Sequence, residues 1–377
     1  MTLATRRVGV GEVRITRQAR LNVIDVLNRH RLTYGLYSEE FERRVALLHG
    51  KRYACLVNSG TDALRIGLLA MKERFSWSNF NVILPALTFI SSLNVIRQAG
   101  LTPRFVDIEL DTYGIDPDQL RFNEQFDAAI MPVHLFGQPV KPEVITWARS
   151  VNLRIIDDSC ETLFQRGCSD GDVSCFSTYA CHVIASGVGG VAATSDPTLA
   201  TLIRSFANHG RDSIYTSIDQ ALGNKQVMDG RFRFEREGYS SRLTEMEAAI
   251  GCAELDDWEQ NIAKRRRIAG ELVRQLSDLP LALPRVGGAH MMFPIRCEDA
   301  ATRDRLVQHF ESAQIETRPL LPLLSQPYVL KEYGDLRPQF PNATRAETTG
   351  FYVGSHPNMD SSDVARISDA AHDFFAR

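Results

Sequence analysis

The sequence predicts an α/β fold built on a mainly parallel, seven-stranded sheet. Three observations carry that expectation. Short apolar runs recur seven times between Tyr53 and Ala193. Helix-patterned stretches separate several of them, and strand–helix alternation is the mark of a parallel sheet with helices on both faces. Most of the runs are apolar throughout, as strands covered on both faces are.

In order, the runs are Tyr53–Val57, Asn81–Leu84, Pro103–Val106, Ala128–Val133, Leu153–Ile156, Val173–Ser177 and Gly190–Ala193. Thr61–Arg74 and Ser91–Gln98 carry helical periodicity between strands. After about Thr244 the pattern changes: Glu245–Ser277 reads as one or two long helices. Beyond Pro280 come shorter strands and helices, ending in an amphipathic helix over Ser361–Phe375. These shifts divide the chain into an N-terminal arm over 1–30, a large domain over 31–260 and a smaller α+β domain over 261–377. The basic cluster Lys264–Arg267 has no interleaved aromatics, so it is expected to be a solvated helix face and not a nucleic-acid surface.

Composition narrows the function classes. The 377 residues are 44% hydrophobic and 24% charged, which excludes wholesale disorder and leaves room for two or three domains. Forty-three basic against 46 acidic residues give a net charge of -3, so no global field gathers nucleic acid or an anionic membrane. No run approaches the roughly 20 apolar residues that span a bilayer. No apolar stretch follows Arg6 and Arg7 as in a signal peptide. A cytoplasmic protein with reduced thiols is the expectation. Cys160, Cys168, Cys175 and Cys181 are separated by 8, 7 and 6 residues, which fits no close-paired zinc pattern, so no metal is expected.

Four constellations lie where ligands of such sheets collect, just past strand ends. Asn58-Ser59-Gly60-Thr61 joins a strand to a helix. Ser59 can cap that helix and Gly60 lets the backbone approach closely, which makes either an ordinary capped helix or a cradle for one phosphate. The lysine of a P-loop is missing. Asp157-Asp158 ends the fifth run. A carboxylate there can hold a protonated ring nitrogen, ligate a metal or simply be solvated. Phe89, in Pro85-Ala86-Leu87-Thr88-Phe89, can cover a flat heterocycle or fill a core. Ser177-Thr178-Tyr179-Ala180-Cys181-His182 precedes Gly187-Val188-Gly189-Gly190. That glycine cluster comes before a strand and so is no dinucleotide fingerprint.

Each signal is weak alone, but their order resembles the DegT/DnrJ/StrS family of sugar aminotransferases and dehydratases, which are fold-type-I pyridoxal phosphate (PLP) enzymes. The resemblance runs from Tyr34-Gly35, Glu40-Phe41-Glu42 and Gly50-Lys51 through Asn58–Thr61 with Ala63-Leu64, Pro85–Phe89 and Asp107-Ile108. It continues through His134-Leu135-Phe136-Gly137 and Gly238-Tyr239 to Ala248-Ala249-Ile250-Gly251. It implies a homodimer with sites at the subunit interface. It also implies Asp158 on the pyridine nitrogen, Phe89 stacked on the ring, and Gly60, Thr61 and Ser177 on the phosphate. Glu161 stands where most members have a glutamine beside the ring hydroxyl. Ser240 replaces an asparagine that reaches the partner's phosphate.

The informative departure is His182, which occupies the slot of the lysine that tethers the cofactor. The six lysines, at 51, 72, 141, 225, 264 and 331, all lie elsewhere, and Lys225 is the one in a loop that could reach an interface. Histidine in this slot resembles a sub-branch, the nucleotide-sugar 3-dehydratases. Asp158-Ser159-Cys160-Glu161-Thr162-Leu163 and Phe351-Tyr352-Val353-Gly354-Ser355-His356-Pro357 lean the same way. An imidazole cannot form the stable covalent tether but moves protons near neutral pH. The resemblance therefore implies non-covalent PLP or pyridoxamine phosphate (PMP) and loss of the C3 hydroxyl from a nucleotide-linked 4-keto-6-deoxyhexose. Glutamate would be a possible amino donor to the cofactor. Alternatives are an aminotransferase or other PLP-dependent lyase, and an inactive relative that binds a nucleotide sugar. Arg318, Tyr328, the His209–Arg211 loop and Arg242 read equally as substrate contacts or as surface residues.

Overall fold

The computed structural model describes residues 6–212 and 232–376. All seven apolar runs are strands: β1 (Tyr53–Val57), β2 (Asn81–Pro85), β3 (Thr102–Val106), β4 (Asp127–Ile130), β5 (Arg154–Asp158), β6 (Val173–Ser177) and β7 (Gly190–Thr194). They form one sheet in the order β1-β7-β6-β5-β4-β2-β3. Neighbours pair in parallel except at β7, which runs antiparallel to both β1 and β6. The reversal has a local cause. A parallel crossover is usually built on a helix, whereas the loop from Thr178 to Gly189 that joins β6 and β7 contains none and folds back on itself, closed at its base by Thr178 N–H to Gly189 O at 3.0 Å.

Alternate residues of these strands enter different cores. Ala54, Leu56, Phe176, Val191 and Ala193 pack on one face of the sheet. Cys55, Val57, Val173, Cys175 and Ala192 pack on the other. That alternation is the period of two of a pleated strand, and it explains why the runs carry almost no polar residues. Helix α3 (Gly60–Arg74) covers the second face. It lies close because Gly67 faces the sheet: a Cβ there would sit 3.0 Å from Val173 Cγ1. Its start is fixed by Ser59, whose side chain accepts the Asp62 N–H at 3.1 Å.

The expected Glu245–Ser277 segment is two helices, Glu245–Asp256 and Trp258–Leu276. The second lies over a three-stranded antiparallel sheet in the order β8-β10-β9, made of β8 (Met292–Arg296), β9 (Arg318–Pro319) and β10 (Gly350–Gly354). Leu272, Phe293, Phe310, Phe351 and Ile367 share a core there. The expectation for the basic cluster is half corrected. Lys264, Arg266 and Arg267 are exposed, but Arg265 is 3% exposed. It falls on the same stripe as Ile262, Ile268, Leu272 and Leu276, three to four residues apart.

Several contacts tie the halves together, among them the following two. The Asp107 carboxylate accepts the Asn342 and Ala343 N–H groups at 2.9 and 2.8 Å, so it caps the helix Pro341–Thr349. The N-terminal segment crosses to the C-terminal half, where Val8 bridges Ile315 and Arg6 pairs with Asp363.

Candidate active site

The carboxyl ends of β1, β2, β4, β5 and β6 open on one cavity of about 370 Å3. Ser59, Gly60, Thr61, Phe89, Asp158, Glu161, Ser177 and His182 line it. Met291, Met292, Leu321 and Tyr352, from the C-terminal half, form the opposite wall. Seven of the eight residues singled out from the sequence are thereby brought together. Ser240 is not among the lining residues: it is exposed and its hydroxyl meets Arg242 at 3.0 Å.

The floor is the start of α3 beside Ser177. A Cβ on Gly60 would lie 2.7 Å from Cys160 Sγ and 2.8 Å from Ser177 Cβ, so only glycine lets β6 and α3 approach this closely. Behind it, Gly190 passes so near Ser59 that a Cβ would meet the Ser59 carbonyl oxygen at 2.2 Å. Phe89 stands at the mouth, 56% exposed, so it is no core residue.

Adjacent side chains of β5 point to opposite faces, and this separates the two aspartates. Asp157 points away from the cavity, accepts Gly171 N–H and Ser174 Oγ at 2.7 Å each, and faces His134 Nε2 at 3.6 Å. Burial raises its pKa, but His134 and Ser174 outweigh that and leave it below the usual 3.8. Asp158 points into the cavity. Ser92 Oγ donates to it at 2.7 Å and Cys160 N–H at 3.3 Å. Burial dominates and holds its carboxyl above the usual value. No described residue forms an ion pair with it.

His182 sits at the tip of the loop between β6 and β7. Its N–H donates to Tyr179 O at 2.9 Å, and Nδ1 is buried with no described partner. Burial lowers its pKa to about 4. The Glu161 carboxylate accepts Phe136 N–H at 2.8 Å, and burial raises its pKa to about 7. Of the lysines, 51 and 72 bond the carbonyls of Gly171 and Ala99, and 141 pairs with Glu109. Among the described residues no lysine lines the cavity; Lys225 lies outside the described residues.

None of Arg318, Tyr328, His209, Arg211 and Arg242 lines the cavity, although Arg318 sits beside Tyr352 across the strands. Arg318 pairs with Glu316, the Tyr328 hydroxyl meets Asn94, and Arg211 stacks on Phe234. Cysteines 160 and 181 line the cavity, whereas Cys175 is in β6. Sequence reasoning missed Ser92 as the partner of Asp158, and the Met291, Met292 and Leu321 wall; Tyr352 lies in the Phe351–Pro357 stretch it singled out, without being given a place in the cavity. Ser92 carries a signal, since it lies one helical turn past Thr88, whose hydroxyl it meets at 2.8 Å. Met291, Met292 and Leu321 carry none, because they lie far along the chain from the strand ends they face.

The chain belongs to the DegT/DnrJ/EryC1/StrS aminotransferase family, whose profile matches residues 13–372. It is 29% identical to the GDP-perosamine synthase of Caulobacter vibrioides, over 88% of both chains. It is 28% identical to the GDP-4-keto-6-deoxy-D-mannose 3-dehydratase of Escherichia coli O55:H7, over 88% of this chain and 90% of that one. The E. coli GDP-4-keto-6-deoxy-D-mannose 3-dehydratase solved with bound hydrated PLP superposes with a TM-score of 0.87, 24% identity and coverage of 97% and 99%, a likeness of fold. The sheet is thus that of the fold-type-I PLP enzymes. No helix among the described residues is long and apolar enough to cross a membrane.

Proposed function

We propose that the protein is a PLP- or PMP-dependent 3-dehydratase of a nucleotide-linked 4-keto-6-deoxyhexose, with His182 in place of a tethering lysine. One observation carries the reading: the cavity offers an imidazole and, among the described residues, no primary amine. The other residues fit the cofactor. Asp158 is a buried carboxyl without a cation, which suits the N–H of a protonated pyridine ring. The Gly60 cradle, Thr61 and Ser177 suit a phosphate, and Phe89 suits the face of a ring. Glu161, near neutrality by its burial, suits a ring hydroxyl.

When bound, the cofactor supplies an amine for a keto group and a ring that takes up electron density. The chain does the rest. Asp158 keeps the ring nitrogen protonated. His182 accepts the proton that must leave and returns one to the departing C3 hydroxyl. The wall of Met291, Met292, Leu321 and Tyr352 keeps bulk water from the reacting atoms.

Glutamate restores the amine form in this reading, and the working unit is a cytoplasmic homodimer in which Ser240 serves the partner's site. The exposed Leu21, Ile24 and Leu27 of α1 (Arg17–Asn28) support the dimer, because an apolar helix face on the surface calls for cover. An aminotransferase is the second reading, favoured by relatives such as the perosamine synthase. The two separate on a panel of GDP-, CDP-, dTDP- and UDP-linked 4-keto sugars with PMP and glutamate, products read by mass. Loss of oxygen from the sugar supports dehydration. Gain of an amino group overturns it in favour of transamination. No conversion, with no cofactor absorbance, leaves an inactive sugar-binding relative.

A further inference from the structure

Arg265 is a buried cation to which no described residue forms an ion pair. Burial lowers its pKa to about 10, so it stays charged at neutral pH. Its guanidinium is solvated by backbone carbonyls. Nη1 donates to Met291 O at 3.0 Å, Ser355 O at 3.1 Å and His290 O at 3.4 Å. Nη2 donates to His182 O at 3.1 Å.

Replacing a buried charge with an apolar side chain of similar size is often neutral or stabilising. Packing alone therefore gives no reason for arginine here. What the planar fork does is join three segments: the tip of the loop between β6 and β7, the start of β8 and the end of β10. Each meets the cavity, through His182, Met291 and Met292, and Tyr352. The loop's base is held by its own bonds, including Ser186 Oγ to Thr178 Oγ1 at 2.7 Å. Its tip is held to the C-terminal half by Arg265.

We propose that Arg265 is a positioning residue for His182: it anchors the His182 carbonyl and, as a fixed cation behind the loop, biases the imidazole toward its neutral, proton-accepting form. The inference rests on the role given to His182 above. Asp158, Glu161, Tyr179 and Tyr352 line the cavity with His182, and Cys181 adjoins it. Burial dominates the fall in the His182 pKa, a bond with the Ser177 backbone opposes it, and the Arg265 charge adds a smaller push against protonation. A proton taken up next to that cation is readily passed on.

The test is histidine-selective NMR titration of the cofactor-free full chain, with the His182 signal assigned by its loss in His182→Asn. Arg265→Gln keeps donors and removes the charge; Arg265→Lys keeps the charge and loses the fork. His182 should titrate higher in Arg265→Gln, by about half a unit, and stay close to the unmodified protein in Arg265→Lys. With cofactor and substrate, kcat should fall about tenfold in both variants, because neither keeps the fork that holds the His182 carbonyl, while KM stays within about threefold. An unchanged His182 titration in folded Arg265→Gln, or equal shifts in both variants, overturns the proposal. If Arg265→Gln fails to fold, Arg265→Met takes its place with the same expected shift. A shifted titration in a protein that never binds cofactor would sink the dehydratase reading and leave the positioning of His182 intact.

Discussion

On one side of β5, the Asp157 carboxylate accepts two hydrogen bonds at 2.7 Å and faces His134. On the other side, one residue on, Asp158 accepts a single short bond from Ser92 and a longer one from Cys160. Both are buried, at 0% and 4% exposure. Their pKa values nonetheless move in opposite directions, down for Asp157 and up for Asp158. What steadies Asp157 as an anion is the pair of bonds on Oδ2 and the His134 and Lys51 groups near it, although Oδ1 itself accepts no hydrogen bond from a described residue. A buried carboxyl held above its usual range is one the fold has left for something cationic. The contrast explains why two chemically identical neighbours would divide into a structural acid and a ligand-holding one.

The largest expected effect lies at neither acid. His182→Asn should slow the proposed dehydration about 1000-fold while cofactor affinity stays within about threefold, measured by single-turnover kinetics and absorbance titration. That outcome separates the residue that moves protons from the acid that holds the ring. Asp158→Asn should weaken PMP binding about 100-fold, whereas Asp157→Asn should change it less than about threefold. Equal losses would break the contrast.

Stability should reverse the order. Asp157→Asn should cost about 2 kcal/mol in urea unfolding at pH 7, because it removes the charge that faces His134 and that strengthens the bonds from Gly171 and Ser174. Asp158→Asn should cost nothing or stabilise. The pH dependence follows in sign. Asp157, with its folded pKa below 3.8, contributes stability above that value and loses it as pH falls through the folded pKa, so the deficit of Asp157→Asn vanishes in acid. Asp158, with its folded pKa above 3.8, is a cost at neutral pH that disappears as pH falls toward 3.8, so any gain of Asp158→Asn disappears there. Unfolding measured from pH 7 down to 3 reads both.

Gly60→Ala should weaken cofactor binding about tenfold, since the new Cβ lies within 2.8 Å of Cys160 and Ser177 atoms that cannot withdraw far. Ser92→Ala should have the smallest effect, a loss of about threefold in affinity, because it removes one neutral donor from Asp158.

Much of this was legible in the residues. The seven strands announced themselves because both faces of the sheet are covered, so each had to be apolar along its length. The direction of β7 was not, since apolarity says nothing about polarity of the chain; only the short Thr178–Gly189 connection encodes it. The sequence placed Asp157 and Asp158 together at the end of a strand without assigning a face to either, and which face holds the cavity depends on helices and loops far away. Arg265 was misread with its basic neighbours, although its i, i+3 and i+4 spacing to Ile262, Ile268 and Ala269 puts it on the apolar stripe. The charge drew attention away from the period. The Met291 and Met292 wall is a product of tertiary packing and left no local trace, whereas Tyr352 beside it lies in the Phe351–Pro357 stretch that the residues did mark out.

The central claim is that the cofactor sits here without a covalent tether. Holoenzyme loaded with PLP, reduced with borohydride, denatured and digested, reads this directly by mass spectrometry. The account predicts peptides of all six lysines at their unmodified masses and release of the reduced cofactor on denaturation. A pyridoxyl group on any lysine peptide, Lys225 above all, would contradict it.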